Sequence, residues 1–238
     1  MKRLAYVALT LYCAMVAAAW AQEPADLRAA PGTLNQLKAL PTFKNVARLD
    51  ELHTAAVVGK EQYRQLATVR NFRELGLDQA SDAVGAELGT PTKDYLVRLD
   101  QLKNFKDGDD PATLLTDTGM VHYPVTQGNK IRSSVTLATA AGRWQVVSIG
   151  DAQRSQKRSD AQIASAKMLK KAEDSYFVVR IPAFNLEFQG TTDAAGTLQL
   201  APILDSPEWE LKTGTPVAAA AIFLKLVPAA TKHNGLPR

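Results

Sequence analysis

The stretch spanning residues 130–151, KIRSSVTLATAAGRWQVVSIGD, restricts the fold more than any other part of the chain. Two alternating, β-branched runs, 131–139 and 143–149, flank Ala140-Ala141-Gly142. A connection of that length, with Gly where a left-handed residue is needed, predicts a β-hairpin. With Thr139 opposite Arg143, Ile131, Ser133, Val135 and Leu137 share one face with Gln145, Val147 and Ile149. Arg132, Ser134, Thr136 and Ala138 share the other with Trp144, Val146 and Ser148. The first face reads as core.

The opening of the chain bounds its compartment. Lys2-Arg3 precede an uncharged run from Leu4 to Ala19, and Ala19-Trp20-Ala21 supplies small residues at a cleavage position. The run is short of the roughly 20 residues of a membrane span. Residues 1–21 therefore read as a secretory signal peptide cut after Ala21, which places the mature chain in the bacterial periplasm or outside the cell. Cys13 is the single cysteine and lies in this segment, so the mature chain has no thiol for a disulfide, a nucleophile or a metal. Its charge is nearly balanced: without Lys2 and Arg3, the formal +4 becomes +2, which gives no reason to expect a nucleic-acid partner. Basic residues do gather at Arg154, Lys157, Arg158, Lys167, Lys170 and Lys171. They read as a solvated helix face or as a weak contact for an anionic membrane surface.

Residues 22–32 read as a flexible leader and 33–91 as an N-terminal helical region. Within that region, helices are expected over 34–40, 43–56 and 60–75, Gly59 is a break, and 76–91 is a connection. Residues 92–230 read as a sheet domain, with strands at 94–99, 120–126, in the hairpin, at 176–181, over 184–188 and at 197–204. The same pattern places helices at 159–173 and 217–227, the last ended by Pro228, and a loose tail at 231–238. Asp110-Pro111 is the cap and first turn of a short helix ending near Asp117. The stripe Ala161, Ala164, Ser165, Met168, Leu169 and Ala172 is the expected buried face of the helix over 159–173.

Two segments echo each other. Residues 140–149 align without gaps on 194–203, and Tyr95-Leu96-Val97-Arg98-Leu99 resembles Phe177-Val178-Val179-Arg180-Ile181. Either the chain holds two diverged strand-hairpin-helix units, 94–173 and 176–229, or Ala-Ala-Gly turns recur by chance. Both alternatives give an α+β fold with an antiparallel sheet of hairpins and packed helices. The order helix, strand, short helix, strand and hairpin, ending in GRWQVVSIG, is loosely similar to the cone-shaped folds of the nuclear-transport-factor type, which implies a curved sheet wrapped round a pocket.

Catalytic patterns are missing. His53, His122 and His233 have no partner at metal-ligand spacing, there is no G-x-S-x-G elbow or S-x-x-K pair, and glycines stand singly at turns, so neither a metal nor a cofactor is implied. The sequence favours a non-catalytic binding protein for a polypeptide, an envelope component or a small apolar ligand, with a chaperone-like or scaffolding role as a variant. A small periplasmic enzyme whose acids and histidines meet only in the fold is the alternative. Candidate binding residues are Arg132 and Trp144 of the hairpin and the echoed pair Arg98 and Arg180. The echo sets Trp144 against Leu198, which predicts a Trp144 at least half covered by a neighbouring layer, with Arg132 at the rim.

Overall fold

The structure is a computed structural model describing residues 34, 37, 38, 40–128, 130–172 and 175–233. The signal peptide and leader expected over 1–32, and residues 234–238 of the expected tail, lie outside the described residues. The described chain is a mixed α+β fold around an open, mostly antiparallel nine-stranded sheet. Its strands are β1 (Glu87–Leu88), β2 (Thr92–Val97), β3 (Leu115–Gln127), β4 (Lys130–Ala140), β5 (Arg143–Gly150), β6 (Phe177–Ile181), β7 (Leu186–Thr192), β8 (Leu198–Pro202) and β9 (Val217–Ala218). They run in the order β5-β4-β3-β2-β6-β7-β8-β9, with β1 on β3. The single parallel contact, β2 with β6, joins two antiparallel meanders. The α-helices whose bounds lie within the described residues are α1 (Leu49–Leu66), α2 (Leu99–Leu102), α3 (Ala152–Leu169) and α4 (Ala219–Lys232); Leu34, Leu37 and Lys38 are helical as well. The sheet does not close into a cone.

Alternation along the strands separates two unlike faces. On one, α1 covers β3, β4 and β5 through Leu52, Ala56 and Tyr63 against Val121, Tyr123, Val125, Val135 and Leu137. On the same face α4 covers β7 and β8 through Ile222, Phe223 and Leu226 against Phe188, Leu198 and Leu200. The opposite face meets α3, whose buried residues are Ser155, Ala161, Ser165 and Ala166. One layer is therefore apolar and the other polar.

The hairpin forms in a register one residue away from the expected one. Ala140 pairs with Arg143 and Thr139 with Trp144, so the turn is the two residues Ala141 and Gly142, with φ of 50° and 74°. Positive φ at both positions is the type I′ geometry that matches strand twist. An extra residue, Val147, bulges from β5 between the pairs Leu137–Val146 and Thr136–Ser148 and is 52% exposed. Slip and bulge together put Trp144, Val146 and Ile149 on the Val135 face under α1, instead of Gln145 and Val147. The echoed segments occupy different stations: β2 and β6 lie side by side, but the matched turns join β4 to β5 in one meander and β7 to β8 in the other.

Other boundaries also move. Gly59 does not break a helix; α1 runs through it, because a Cβ there would stand 2.4 Å from Val135 Cγ1 and 3.0 Å from Val146 Cγ2. The glycine lets helix and sheet approach. The helix expected over 60–75 thus ends at Leu66, and Tyr63 ties the turns that follow by donating to the Leu75 carbonyl at 3.0 Å. Asp110 does cap a turn, accepting from Ala112 N at 2.9 Å, but that 3-10 turn ends at Leu114 and β3 begins at once. Pro124 sits where β3 changes partner from β2 to β1, so its missing N–H breaks no ladder on that side. Pro228 lies inside α4, on its exposed side, where water can serve the Leu224 carbonyl it frees; Thr231 and Lys232 are helix and not loose tail. Finally, α3 starts at Ala152 and not at 159, and Met168, expected in its buried stripe, is 60% exposed.

Gly59→Ala sets two effects against each other. Helix propensity favours Ala by about 1 kcal/mol. Overpacking against two β-branched, stiff side chains costs about 1–3 kcal/mol. The expected result is a loss of up to about 2 kcal/mol, read as a lower urea midpoint at unchanged slope.

Candidate functional site

The polar layer between α3 and the sheet carries the chemistry of the molecule. Asp94, fully buried in β2, reaches across the parallel junction to Arg180 of β6: Nε donates to Oδ1 at 3.0 Å and Nη2 to Oδ2 at 2.6 Å. His122 of β3 stands on the other side, with Nε2 3.4 Å from Asp94 Oδ2 and Nδ1 2.9 Å from Thr136 Oγ1 of β4. A carboxylate only accepts, so the imidazole proton belongs on Nε2 and the Thr136 hydroxyl donates to Nδ1. Next along the layer, Arg158 of α3 donates through Nε to Glu187 Oε1 of β7, and Arg154 lies 3.6 Å from the other carboxylate oxygen.

Burial and pairing set the charge states. Burial alone would raise the Asp94 carboxyl, but hydrogen bonds from His122 and Arg180, with the Arg180 charge, hold it below its ordinary value. For His122, burial and the Arg158 charge outweigh Asp94 and push the imidazole below its ordinary value, toward the neutral form.

Beside this network opens a cavity of about 160 Å³ between α3, the β1–β2 loop and strands β3, β4 and β7. His122, Ser134, Ser155, Arg158, Gln162 and Gln189 supply much of its polar wall. No carboxylate lines it. Two of these groups stand out, because Ser155 Oγ and Gln189 Oε1 are buried without a hydrogen-bond partner in the protein. Their residues are 6% and 1% exposed. A buried polar group left unmatched costs about 1–3 kcal/mol, so two of them on wall residues of one cavity single out this layer.

The structure does not bring the four sequence candidates together. Arg132 is not at an open rim: 13% of its side chain is exposed, and it clamps the loop before β1 through Asp78 at 2.7 Å and the Gly76 carbonyl at 3.3 Å. Trp144 is partly buried under α1, donates to the Ala47 carbonyl at 3.3 Å, and borders a separate cavity with Val46 and Met120. Arg98 is exposed and paired with Asp100, away from Arg180. Arg180 alone belongs to the network, and it also lines a cavity of about 440 Å³ with Arg154, Phe184 and Asp205. Of the basic group on α3, Arg158 turns inward with 11% of its side chain exposed, while Lys167 and Lys170 remain on the surface. Among the described residues, no helix is long and apolar enough to cross a membrane.

Sequence reasoning missed Asp94, Ser155 and Gln189, and it named His122 and Arg158 without joining them to this site. One signal was available: Ser155, Arg158, Ser159 and Gln162 fall at i, i+3, i+4 and i+7, a polar stripe on one helical face.

The chain gives no match to any family model, to the curated proteins or to the solved structures compared with it.

Removing Arg180 leaves a buried carboxylate without its cation, so Arg180→Met should cost about 3–5 kcal/mol, whereas Asp94→Leu combined with Arg180→Met recovers most of that loss. Stability should also fall on acidification from about pH 6.5, the ordinary imidazole value. There the unfolded chain takes up protons that His122, and likewise His53 with its burial-lowered value, do not accept when folded. Denaturation midpoints measured from pH 7 to 6 should show a slope that His122→Asn reduces and that His53→Asn with His122→Asn nearly abolishes.

Proposed function

We propose that the protein is an exported, non-catalytic binding protein, and that the cavity roofed by α3 is the site for a small polar ligand. The carrying observation is the cavity itself, whose wall includes His122, Ser134, Arg158 and Gln162 and no carboxylate, and two of whose wall residues, Ser155 and Gln189, hold a buried oxygen with no partner in the protein. A volume near 160 Å³ suits a guest of the benzene class, since an engineered cavity of about 150 Å³ takes benzene itself. The polar wall favours a hydrogen-bonding guest over an apolar one. Export rests on the pattern of residues 1–21, and a bacterial periplasm is the compartment that fits it.

The enzymatic reading has one observation in its favour, the chain Asp94–His122–Thr136, which has the order acid, base, hydroxyl. Three features weigh against it. The Asp94 charge is already answered by Arg180, so little of it remains to stabilise an imidazolium. Burial disfavours the protonated imidazole that a base must become. Thr136 lies inside β4, paired on both sides by β3 and β5, where neighbouring backbone N–H groups serve the ladder and not a developing oxyanion.

Gln189→Met tests the binding reading before any ligand is known. A cavity-wall amide with an unmatched oxygen should be replaceable by an isosteric apolar chain at a cost below about 1 kcal/mol. A loss above about 3 kcal/mol in urea denaturation would make Gln189 a structural part of the seam and overturn the reading. Export has its own check: protein expressed from the full gene should have the intact mass of a chain beginning at Gln22.

A further inference from the structure

We propose that the cleft of about 440 Å³ between the start of α3, the β6–β7 turn and the loop after β8 binds a short zwitterionic peptide of apolar residues, about a dipeptide in size. This second site is independent of the α3 cavity, which has Arg158 in its wall where the cleft has Glu187, the partner of Arg158. The cationic groups of the cleft are open to water and only partly used. The Arg180 side chain is 33% exposed, and with Nε and Nη2 committed to Asp94 its Nη1 has no hydrogen-bond partner among the described residues. The Arg154 side chain is 50% exposed. Its Nε lies 3.6 Å from both Asp151 Oδ2 and Glu187 Oε2, and none of its N–H groups makes a hydrogen bond among the described residues. Two guanidinium groups of one cleft thus offer donors to an acceptor, and a carboxylate matches their planar geometry. Asp94 and Glu187 answer part of their charge, so the single charge of a carboxylate suits them better than the larger one of a phosphate.

Asp205 supplies the opposite sign. Its side chain is exposed, Oδ1 accepts from Thr213 N at 2.8 Å and from Thr213 Oγ1 at 2.7 Å, and Oδ2 has no partner among the described residues. Those bonds hold the carboxyl below its ordinary value, so it is an anion at neutral pH. It forms no ion pair among the described residues, and the Lys212 charge bears on it only at longer range. A plain anion such as a fatty acid would satisfy the arginines and leave Asp205 unanswered and repelling. A plain cation would satisfy Asp205 and meet two guanidinium groups. A guest with an ammonium at one end and a carboxylate at the other answers both.

The rest of the lining selects what joins the two charges. Pro182, Phe184 and Leu204 make part of it apolar, and Leu204 is 52% exposed, so apolar side chains on the guest gain by covering it. Asn185 and Ser206 also line the cleft, and their side chains make no hydrogen bond among the described residues. An amide and a hydroxyl each donate and accept, as a peptide group does, so a guest with a peptide bond between its charged ends can use both. Size agrees. An engineered cavity of about 150 Å³ takes benzene, so about 440 Å³ takes roughly three times as many non-hydrogen atoms, the bulk of leucyl-leucine and well above that of one amino acid.

Calorimetry and 15N-detected NMR shifts on the purified protein test this with L-leucyl-L-leucine, its N-acetyl form, its C-terminal amide, free leucine and O-phosphoethanolamine. The expected result is saturable one-site binding of leucyl-leucine, with shifts at 182–186 and 203–206, and weaker binding of leucine. Acetylation, amidation and Arg154→Gln should each weaken leucyl-leucine by about tenfold or more, the worth of one charged hydrogen bond. Asp205→Asn keeps an oxygen for both Thr213 bonds; it should weaken leucyl-leucine by about as much and leave the acetyl form unaffected. An acetyl form, an amide or a free leucine that binds as tightly as leucyl-leucine overturns the proposal, through the ammonium, the carboxylate or the size respectively. Saturable binding of O-phosphoethanolamine with leucyl-leucine inert replaces the peptide by a lipid headgroup and overturns it as well. No saturable binding of any probe removes the site. Arg180 stays intact throughout, since its loss strands Asp94, and folded dispersion in the NMR spectra of both variants separates lost binding from lost structure.

Discussion

The two-pronged hydrogen bond of Asp94 to Arg180 spans the one place where the sheet changes character. To either side of it strands pair antiparallel with their sequence neighbours, and such meanders assemble from short-range contacts. The β2–β6 contact is parallel and joins residues some eighty positions apart. Parallel pairing is slightly weaker per residue. Here a charge-assisted bidentate bond is added to the ladder, with the carboxylate fully buried. Ion pairs of this kind fix which partners meet more than they add net stability. The register Asp94–Val178 and Leu96–Arg180 is the one that brings the guanidinium to the carboxylate. His122, and through it Thr136, are then aligned on the same oxygen.

From that anchor the polar layer extends outward to Arg158, Glu187 and the cavity. The apolar face needs no such device. Tyr63, Tyr123 and Phe43 in one cluster and Phe188 and Phe223 in the other are fully buried, and apolar area is the main hold on α1 and α4. With no cysteine among the described residues, the fold depends on these two clusters for most of its stability. That leaves the opposite face free to be specific: beside small apolar residues such as Val178 and Ala201 it buries hydroxyls, amides and charges, whose geometry matters more than their volume.

The parts of the fold legible in the sequence are those whose signal is local. Alternation in 131–139, 143–149 and 176–181 marks strands β4, β5 and β6, and Asp110-Pro111 marks a capped turn. What the sequence hides depends on contacts made elsewhere. Gly59 looks like a helix break until Val135 is placed beside it. The shorter turn swaps the faces of Trp144 and Val146, the bulge at Val147 swaps them back for Ile149, and no property of these residues announces either. The site is the least legible part, because Asp94 and Arg180 are 86 residues apart and Ser155 meets Gln189 only across the layer. Placing the start of α3 at 159 cut off Ser155 and Arg158, and with them the polar stripe that would have marked a helix seated on something other than an apolar core.

The three long helices are consequently held by different forces. Helices α1 and α4 bury Leu, Ile, Phe and Tyr side chains, whereas α3 buries two serines and two alanines and is fastened by ion pairs to Glu187 and by the hydroxyl of Tyr176 on Ser165. Lifting α3 exposes little apolar surface and lets water replace most of the bonds that are broken. Of the three long helices it has the lowest expected cost of local opening, and it roofs the cavity. The cavity is thus roofed by the one long helix whose hold on the sheet is mostly polar, so water competes for that hold as it does not for α1 and α4.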